Sequence, residues 1–377
     1  MEPAQYRENK MTDKKPPFHA EHVGSLLRPK ELTAAFKDHR NGNINDEQFT
    51  AVQDRAIRDV VKLQEDAGLE VVTDGEFRRP SYWARFVELV DGLSVREASF
   101  KFRDDHGHEV DFTAPHVDGP VRRSRSVAGD EYAFTRSVTT KTPKITLPSP
   151  PSMHFWRLGV GIDDGLYEND AAFFDDLAKV YREEIAALAA AGCTYVQLDD
   201  VPIAMLCDPV VRAKAQEIGY DPTALMQSYV DLMNACVDGR PDGITVGMHL
   251  CRGNFKGHYL SEGGYETVAE LLFQGINVDA FFLEYDTPRA GDFEALQYVP
   301  SHKHVVLGLV SSKTPELEDK EGLKARINDA ARFVDLGRLS LSPQCGFAST
   351  VAGNPVTVDD EKAKLELIVD VARDVWS

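Results

Sequence analysis

The chain has 377 residues, of which 42% are hydrophobic and 27% are charged, as is usual for folded globular proteins. Its formal net charge is −19, and so acidic a surface repels phosphate backbones and anionic lipids, which argues against nucleic-acid and membrane-surface roles. Five cysteines, an odd number in a long chain with no apolar run of membrane-spanning length, favour a reducing, cytoplasmic location over a disulfide scaffold.

Short β-branched, apolar runs alternate with longer helical patterns along the chain. Residues 1–17 are polar, and we expect an N-terminal arm or tail there. Predicted strands follow at 18–23, 69–73, 144–147, 195–198, 244–248, 280–283, 305–309 and 339–341. Helical patterns cover about 30–36, 46–67, 171–191 and 358–375, and also the stretch from strand 4 to residue 237. Eight strands with helical connections predict an α/β fold, a (β/α)8 TIM barrel over residues 18–377.

The surplus over a typical barrel of about 250 residues lies mainly at residues 94–140. This stretch is rich in charge and in alternating apolar residues, as in H-E-V-D-F-T. The alternation predicts a β-hairpin insertion between strands 2 and 3, with an irregular loop as the alternative.

Chemically capable side chains follow seven of the eight predicted strands, where the active sites of such barrels lie. Each alone is a weak signal, but their convergence on one rim indicates a functional site. They are Ser25, Glu76, Asp199, Asp200, His249, Cys251, Glu284, Lys313 and Cys345.

The strongest local signal is the sequence H-L-C at residues 249–251. In an extended chain, residues i and i+2 point to the same side, so His249 and Cys251 could share a metal ion. A buried histidine beside a buried thiol is the alternative. Cys345 and Glu284 follow two further strands, and the four side chains form a tetrahedral set suited to Zn²⁺. We expect Cys193, Cys207 and Cys236 to be buried small hydrophobic residues.

The predicted ligand set also indicates a reaction class. A zinc ion with two thiolate ligands generates hydroxide poorly but can bind a substrate thiol and lower its pKa, which produces the nucleophilic thiolate at neutral pH. This favours alkyl transfer to sulfur. Zinc-water hydrolysis, the alternative, more often uses histidine and carboxylate ligands.

Seven motifs in order relate the chain to a known family. They are V-G-S (23–25), D-G-E-F (74–77), S-P-P-S-M-H-F-W (149–156), Q-L-D-D (197–200), H-L-C (249–251), L-E-Y (283–285) and P-Q-C-G (343–346). On these motifs the chain resembles the catalytic barrel of cobalamin-independent methionine synthases over nearly its whole length. The resemblance implies a zinc-dependent methyltransferase that forms methionine from homocysteine, with His249, Cys251, Glu284 and Cys345 as zinc ligands.

The resemblance also implies roles for other residues. Glu76 and Asp199 would hold the amino group of homocysteine, and the Gly-Ser turn at Ser25 its carboxylate. Trp156 would stack on the folate of the methyl donor. Asp200 would be an adjacent polar group of the proton network.

Two departures from the family leave the methyl donor open. Full-length members have a second, N-terminal barrel that helps to hold the folate, and this chain has none. Where they carry a proton-transferring histidine after strand 7, this chain has Lys313, which could donate a proton only with a depressed pKa. The donor could be 5-methyltetrahydrofolate, a methylated corrinoid protein or another compound, and a homo-oligomer is possible.

Other functions fit parts of the pattern. A similar enzyme, epoxyalkane:coenzyme M transferase, alkylates a thiol that carries a sulfonate, for which Arg78, Arg79 and Arg252 would be available. Retention of Glu76 and Asp199 favours an amino-acid thiol instead. Relatives of uroporphyrinogen decarboxylase have a similar barrel but need no zinc, so His249, Cys251 and Cys345 argue against that function. A purely zinc-binding, non-enzymatic role is the remaining alternative.

Overall fold

The computed structural model of the protein describes residues 15–99, 102–103, 109–110, 112–254, 260–261, 263–287 and 290–377. Its helices are α1 (Lys30–Arg40), α2 (Asp46–Asp66), α3 (Ala84–Leu89), α4 (Gly129–Ser137), α5 (Asp170–Ala190), α6 (Pro202–Met205), α7 (Pro209–Glu217), α8 (Pro222–Val237), α9 (Ala269–Gly275), α10 (Lys320–Ala330) and α11 (Val358–Trp376). Its strands are β1 (Val71–Val72), β2 (Asp91–Glu97), β3 (Phe102–Arg103), β4 (Glu109–Val110), β5 (Thr113–Arg122), β6 (Thr142–Pro143), β7 (Ile145–Pro148), β8 (Tyr195–Asp200), β9 (Thr245–Leu250), β10 (Ala280–Glu284), β11 (His304–Val310) and β12 (Leu339–Pro343). The predicted arm at 1–17 lies almost entirely outside the described residues.

The main sheet contains six parallel strands in the order β7-β8-β9-β10-β11-β12. Each strand therefore pairs with the next along the chain, and most of the connections are helical, as in repeated βα units. β1 pairs in parallel with β6, which directly precedes β7. The fold is mixed α/β with a parallel sheet, as the alternation of apolar runs predicts.

The predicted first strand, at 18–23, forms one bridge instead of a ladder. Ala20 pairs in parallel with Leu341 of β12, and the Glu21 N–H donates to the Leu341 carbonyl at 2.9 Å. On the other side, the Leu26 N–H donates to the Gly75 carbonyl at 3.2 Å. The segment thus lies between the last strand and the turn that follows β1.

The helical sequence predicted between strand 4 and residue 237 forms three separate helices, α6, α7 and α8. Pro202, Pro209 and Pro222 each stand in the first turn of a helix, where a missing N–H has no cost but the preceding helix cannot continue. The Asp208 and Asp221 side chains accept hydrogen bonds from the first N–H groups of α7 and α8. Cys207 consequently lies in a turn and not in a helix, although it is buried as predicted.

The predicted insertion at 94–140 contains an antiparallel pair, β2 with β5, and ends in helix α4. The pair begins at Asp91, before the predicted boundary, and residues 100–101, 104–108 and 111 lie outside the described residues. The Ser99 N–H donates to the Trp156 carbonyl at 2.8 Å, which fastens the hairpin to the segment after β7. The insertion therefore contacts the C-terminal ends of the strands.

The described residues contain no helix that combines the length and the apolar character needed to cross a membrane. All five cysteines are buried, and none forms a disulfide. Cys193 and Cys236 pack in the hydrophobic core, as the sequence predicts.

A buried carboxyl group on α11 gives the fold a pH dependence. Burial raises the pKa of Glu361 to about 8 from an ordinary 4.5, against a hydrogen bond from the Leu27 N–H. The folded protein then holds a proton that the unfolded chain releases, so the free energy of unfolding falls as the pH rises from about 4.5 to about 8.

We expect Glu361→Gln to remove this loss. Above about pH 8 the variant should be more stable than the parent by roughly 5 kcal/mol, with little difference near pH 4.5. Urea unfolding at several pH values measures this, and Glu366→Gln, at a half-exposed position of the same helix, is the control. Parallel curves for the parent and Glu361→Gln would contradict the prediction.

Candidate metal and thiol site

Three of the predicted metal ligands converge at the C-terminal ends of β9 and β12. One ligand atom each of His249, Cys251 and Cys345 lies within 4.8 Å of the other two, and all three side chains are buried. The Cys251 and Cys345 Sγ atoms are 3.3 Å apart. His249 belongs to β9 and Cys251 follows its last residue, so the extended chain directs both side chains to one side.

The three residues fit a zinc ion. Among the described residues, the ring nitrogens of the buried His249 have no hydrogen-bond partner apart from their interaction with the Cys345 sulfur, which is unusual for a buried polar group unless a ligand completes it. The sulfur separation is slightly shorter than the edge of a zinc tetrahedron, about 3.8 Å for Zn–S bonds of about 2.3 Å. A slight increase in the distance between the two sulfur atoms would therefore make room for the ion.

The electrostatics of the cluster favour one anionic sulfur even without a metal. A hydrogen bond from the Cys251 thiol, together with the His249 ring, holds the pKa of Cys345 well below its usual range against the effect of burial. The same hydrogen bond and burial raise the pKa of Cys251. Burial lowers the pKa of His249, but the Cys345 sulfur and the Asp199 and Glu284 carboxylates outweigh it and raise the pKa. The arrangement therefore favours the thiolate form of Cys345 beside the His249 ring.

The predicted fourth ligand, Glu284, forms an ion pair with Lys313. Its Oε1 lies 3.2 Å from the Lys313 Nζ, and its Oε2 accepts the Arg252 N–H at 3.0 Å. Burial raises the pKa of Glu284, but the Lys313 and Arg252 charges outweigh it and lower the pKa. Burial likewise lowers the pKa of Lys313, and Glu284 and Cys251 outweigh it, so its pKa is raised. This direction is opposite to the depressed pKa that a lysine proton donor needs.

The cluster opens into a cavity of about 390 Å³. Glu284 and Lys313 are not among the residues that line it. The other predicted site residues do line it: Ser25, Glu76, Trp156, Asp199, Asp200, His249, Cys251 and Cys345.

Glu76 offers a carboxylate oxygen to this cavity. Its Oε1 accepts the Thr146 hydroxyl at 2.7 Å and lies 3.6 Å from the Arg79 Nη1, whereas its Oε2 is buried and has no partner among the described residues. Glu76 has a φ of 62°, in the left-handed region that non-glycine residues rarely adopt. Such strain is typical of functional positions, and an unpaired buried carboxylate oxygen favours a cationic ligand.

Two adjacent aspartates at the end of β8 also line the cavity. The Asp199 Oδ1 accepts the Gln197 side-chain amide at 2.7 Å. The Asp200 Oδ1 accepts the Ser149 hydroxyl at 2.6 Å, and its Oδ2 accepts the Ile203 N–H at 2.8 Å. Burial raises the pKa of each aspartate to about 7. A bound cation would favour their ionised forms.

The glycines of two motifs allow close packing at the floor of the cavity. A Cβ atom on Gly346 would lie 1.9 Å from the Ser25 Oγ, and one on Gly24 would lie 2.6 Å from the Thr146 Cγ2. Gly24 also has a φ of 138°, which side chains disfavour. These contacts explain why V-G-S and P-Q-C-G need glycine.

An aromatic part of the cavity was not predicted beyond Trp156. Tyr82, Trp83 and Phe112 also line it, and the Phe112 and Trp156 rings meet edge to face with centroids 5.4 Å apart. Tyr82 and Trp83 follow shortly after D-G-E-F, and Phe112 lies at the base of the insertion. The sequence did contain a signal for this aromatic lining, because the pair Tyr82-Trp83 begins five residues after the strand-end motif D-G-E-F.

A buried arginine joins two loops of the site. The Arg28 Nη1 donates to the carbonyls of Ala348 and Thr350, both at 3.0 Å, and its Nη2 donates to those of Glu76 at 2.9 Å and Arg79 at 2.7 Å. Burial lowers the pKa of Arg28 to about 10, so it remains charged at neutral pH. One guanidinium thus fixes the loop that carries Glu76 to the loop after Cys345.

We expect Arg28→Lys to misplace these loops without removing the metal cluster. A lysine keeps the charge, but its single ammonium group cannot donate at the same time to the carbonyls of both loops, as the two guanidinium nitrogens do. Zinc content should be retained, while kcat/KM for the thiol falls by about 10- to 100-fold. Arg55→Lys, at an exposed ion pair with Glu31, is the control. Unchanged kcat/KM in a folded Arg28→Lys variant would contradict this role.

The comparisons with known proteins agree on one family. The family model described as the catalytic domain of cobalamin-independent synthase matches residues 18–374. YxjH of Bacillus subtilis, described as an uncharacterized protein, is 40% identical over 367 residues, 96% of each chain. The 5-methyltetrahydropteroyltriglutamate–homocysteine methyltransferase of Corynebacterium efficiens is 26% identical over 335 residues, which are 88% of this chain and 40% of that protein.

Two solved structures resemble the whole chain. A Listeria monocytogenes protein, solved as a candidate vitamin-B12-independent methionine synthase, has a TM-score of 0.76 and 32% identity, and the match covers 97% of this chain and all of that one. A B12-independent methionine synthase from Shewanella sp. W3-18-1 has a TM-score of 0.73 and 24% identity, covering 95% and 97%. At 24% identity, the similarity to the Shewanella protein shows a shared fold and nothing more.

Proposed function

Because the chain belongs to the family of cobalamin-independent synthase catalytic domains, we propose that it is a zinc-dependent methyltransferase that forms methionine from homocysteine. The observation that carries the proposal is the cluster of His249, Cys251 and Cys345, whose ligand atoms lie within 4.8 Å of one another beside the cavity. Both nitrogens of His249 lack partners among the described residues apart from the Cys345 sulfur. This donor set favours a zinc site that accepts a thiol.

His249, Cys251 and Cys345 would hold the zinc ion, with Glu284 as the fourth protein ligand. When bound, zinc lowers the pKa of the substrate thiol, so that a thiolate is present at neutral pH. The lone pairs of the Glu284 carboxylate allow it to bind the metal and still accept the Lys313 ammonium. Lys313 then acts on the site through Glu284, as a counter-charge, and not as the proton donor of the initial hypothesis.

The remaining cavity residues would orient an amino-acid thiol. Glu76 and Asp199 bring two carboxylates to the cavity, which suits an ammonium group, and the free Oε2 of Glu76 is available to accept it. Ser25 contributes a hydroxyl for the α-carboxylate. Asp200 lies beside them and holds the turn after β8 through the Ile203 N–H. These residues fix the direction from which the homocysteine sulfur attacks the methyl carbon.

Coenzyme M fits this cavity less well than homocysteine. Of the arginines that could bind its sulfonate, Arg78 pairs with Asp54 at 2.6 Å and Arg79 pairs with Glu131 at 2.6 Å. The Arg252 Nε donates to the Gly263 carbonyl at 2.9 Å, and only its buried Nη2 has no partner among the described residues. No arginine or lysine is among the described residues that line the cavity. A sulfonate would therefore lie beside carboxylates without a counter-charge.

We also propose a closed barrel fold and a cytoplasmic location for the protein. Residues 18–377 form one closed (β/α)8 barrel with a hairpin insertion; the bridge between Ala20 and Leu341 supports residues 18–23 as the first strand. The reaction takes place in the cytoplasm, in agreement with five cysteines that form no disulfide.

Chemical methylation of bound homocysteine tests the function independently of the natural donor. Zinc-loaded protein, homocysteine and methyl iodide should give methionine faster than homocysteine and methyl iodide alone, and the protein should contain about one zinc per chain. Zinc-edge X-ray absorption should show an added sulfur neighbour when homocysteine binds. Metal-free protein with undiminished activity would contradict the proposal.

A further inference from the structure

We propose that Glu131 is a positioning residue for the amine site: it holds the Arg79 guanidinium away from Glu76, so that Glu76 keeps a free carboxylate oxygen for the ammonium group of the acceptor. The inference rests on the proposed function, since it takes Glu76 to bind that ammonium group. Glu131 belongs to α4, at the end of the insertion, and is not among the residues that line the cavity. None of the seven sequence motifs contains it.

Glu131 and Arg79 form a buried ion pair with two contacts. The Arg79 Nε donates to the Glu131 Oε1 at 3.1 Å, and its Nη2 donates to the Oε2 at 2.6 Å. The two residues are only 1% and 4% exposed. Burial lowers the pKa of Arg79, but the Glu131 and Glu76 carboxylates outweigh it and raise the pKa, so the guanidinium stays charged. Two parallel contacts fix the plane of this guanidinium as well as its position.

Thr146 transmits the orientation of Arg79 to Glu76. The Arg79 Nη1 donates to the Thr146 hydroxyl at 2.9 Å, and its Nη2 donates to the Thr146 carbonyl at 2.8 Å. Because the hydroxyl oxygen accepts from Arg79, its single hydrogen is available to the Glu76 Oε1, which accepts it at 2.7 Å. The buried Oε2 of Glu76 then has no partner among the described residues. This chain of hydrogen bonds determines which oxygen of Glu76 is left for a ligand.

Glu76 competes with Glu131 for the same guanidinium. The Glu76 Oε1 lies 3.6 Å from the Arg79 Nη1, too far for a hydrogen bond but close enough for an ion pair. In the part of the chain that the structure describes, Glu76 and Glu131 are the two carboxylates within 4.0 Å of the Arg79 nitrogens. Arg85 lies 3.4 Å from Glu131 but has Asp130 as its own partner. Without the Glu131 charge, the buried Arg79 would have Glu76 as its remaining partner, and the amine site would be neutralised.

The role of Glu131 is therefore one of acceptor specificity. An ammonium group gains from Glu76 only while the charge of that carboxylate is not already balanced by Arg79. A thiol without an amino group has nothing to gain from either state. The discrimination between the two thiols then depends on Glu131, although Glu131 does not touch the substrate.

The test compares homocysteine with 4-mercaptobutyrate, its analogue without the amino group, in zinc-loaded full-length protein. Methyl iodide is the methyl donor, so the natural donor does not enter the measurement. The readout is the amine preference, defined as kcat/KM for homocysteine divided by kcat/KM for 4-mercaptobutyrate. The values of kcat and KM are determined separately for each thiol.

We expect Glu131→Gln to lower the amine preference by about tenfold or more, through a higher KM for homocysteine with kcat nearly unchanged. Its reaction with 4-mercaptobutyrate should be close to that of the parent. Glu131→Asp keeps the charge and should retain most of the preference. An unchanged preference in Glu131→Gln, or an equal loss with both thiols, overturns the inference.

A double variant separates the freed arginine from a merely structural effect. Arg79→Gln combined with Glu131→Gln removes both charges of the pair, so that no guanidinium remains beside Glu76. We expect its amine preference to be within about threefold of that of the parent. A loss of about tenfold in the double variant overturns the inference. Because it leaves no unpaired charge from this pair, the double variant decides the question even where Glu131→Gln does not fold.

Glu184→Gln is the matched control for the packing of α4. Glu184 is also a buried carboxylate that pairs with an arginine, Arg123, at 2.6 Å. It accepts the N–H groups of Val127 and Ala128, directly before α4, at 3.1 and 2.8 Å. Its replacement loosens the start of α4 without freeing Arg79, so the amine preference should stay that of the parent. A loss equal to that of Glu131→Gln overturns the inference.

The parent protein separates failure of the inference from failure of the proposed function. Zinc-dependent methylation with a preference for homocysteine that Glu131→Gln leaves unchanged rejects the role of Glu131 alone. Absence of zinc-dependent methionine formation in the parent rejects the proposed function, and the inference with it.

Discussion

Replacing Cys345 with alanine is expected to release the zinc ion and to abolish zinc-dependent methyl transfer. If four ligands share a binding free energy of about 10–16 kcal/mol, the loss of one costs about 3–4 kcal/mol, or roughly 100- to 1,000-fold in metal affinity. His249→Ala should have a similar effect, because its ring nitrogens have no other partner among the described residues. Metal content after dialysis and the rate of methionine formation measure both variants.

Cys193→Ala is the matched control, because Cys193 is equally buried but lies outside the cluster. It should keep its zinc and its activity, and circular dichroism should show all three variants folded. Retention of stoichiometric zinc and full activity in Cys345→Ala would exclude this cysteine as a ligand and would remove the basis of the proposed function.

The second large effect is expected for Glu76→Gln with homocysteine as the acceptor. The substitution removes one carboxylate from the ammonium site, and truncating a buried charge pair costs about 2–4 kcal/mol, or roughly 30- to 1,000-fold in kcat/KM. Glu361→Gln is the control, since Glu361 is a buried carboxyl group outside the cavity.

An acceptor without an amino group completes the test of Glu76. Parent and Glu76→Gln are compared with homocysteine, with 4-mercaptobutyrate, which lacks only the amino group, and with coenzyme M. The loss should be confined to homocysteine, so that the variant no longer prefers it. An equal loss with all three thiols would show that Glu76 supports the loop and does not bind the amine.

The His249–Cys251 part of the candidate metal cluster could be predicted because its signal is local. His249 and Cys251 are two residues apart, and the alternation of side chains in an extended strand is sufficient to bring them together. β9 ends at Leu250, two residues later than the apolar run indicates, because the ladder with β8 continues through His249 to Leu250. The alternation of side chains along the strand was therefore a better guide to the site than the predicted last residue of the strand.

Contacts between distant loops could not be predicted in the same way. The pairing of Glu284 with Lys313 joins two strand ends that each carry a plausible functional group, and only the packing shows that they face each other. Tyr82, Trp83 and Phe112 enter the cavity from loops whose paths have no periodicity. The contacts of Arg28 could not be predicted either, since its four acceptors are backbone carbonyls, which every residue possesses.

The Arg28 contacts have a consequence for how the protein matures. The acceptor carbonyl of Ala348 lies 320 residues after Arg28, and the thiol of Cys345 precedes it by only three residues. During synthesis, the loop that carries Glu76 therefore waits for nearly the whole chain before its guanidinium anchor has all four acceptors. Under the proposed function, the zinc cluster and the amine site are therefore complete only when nearly the whole chain has been synthesised, and we expect chains that end before Cys345 not to bind zinc.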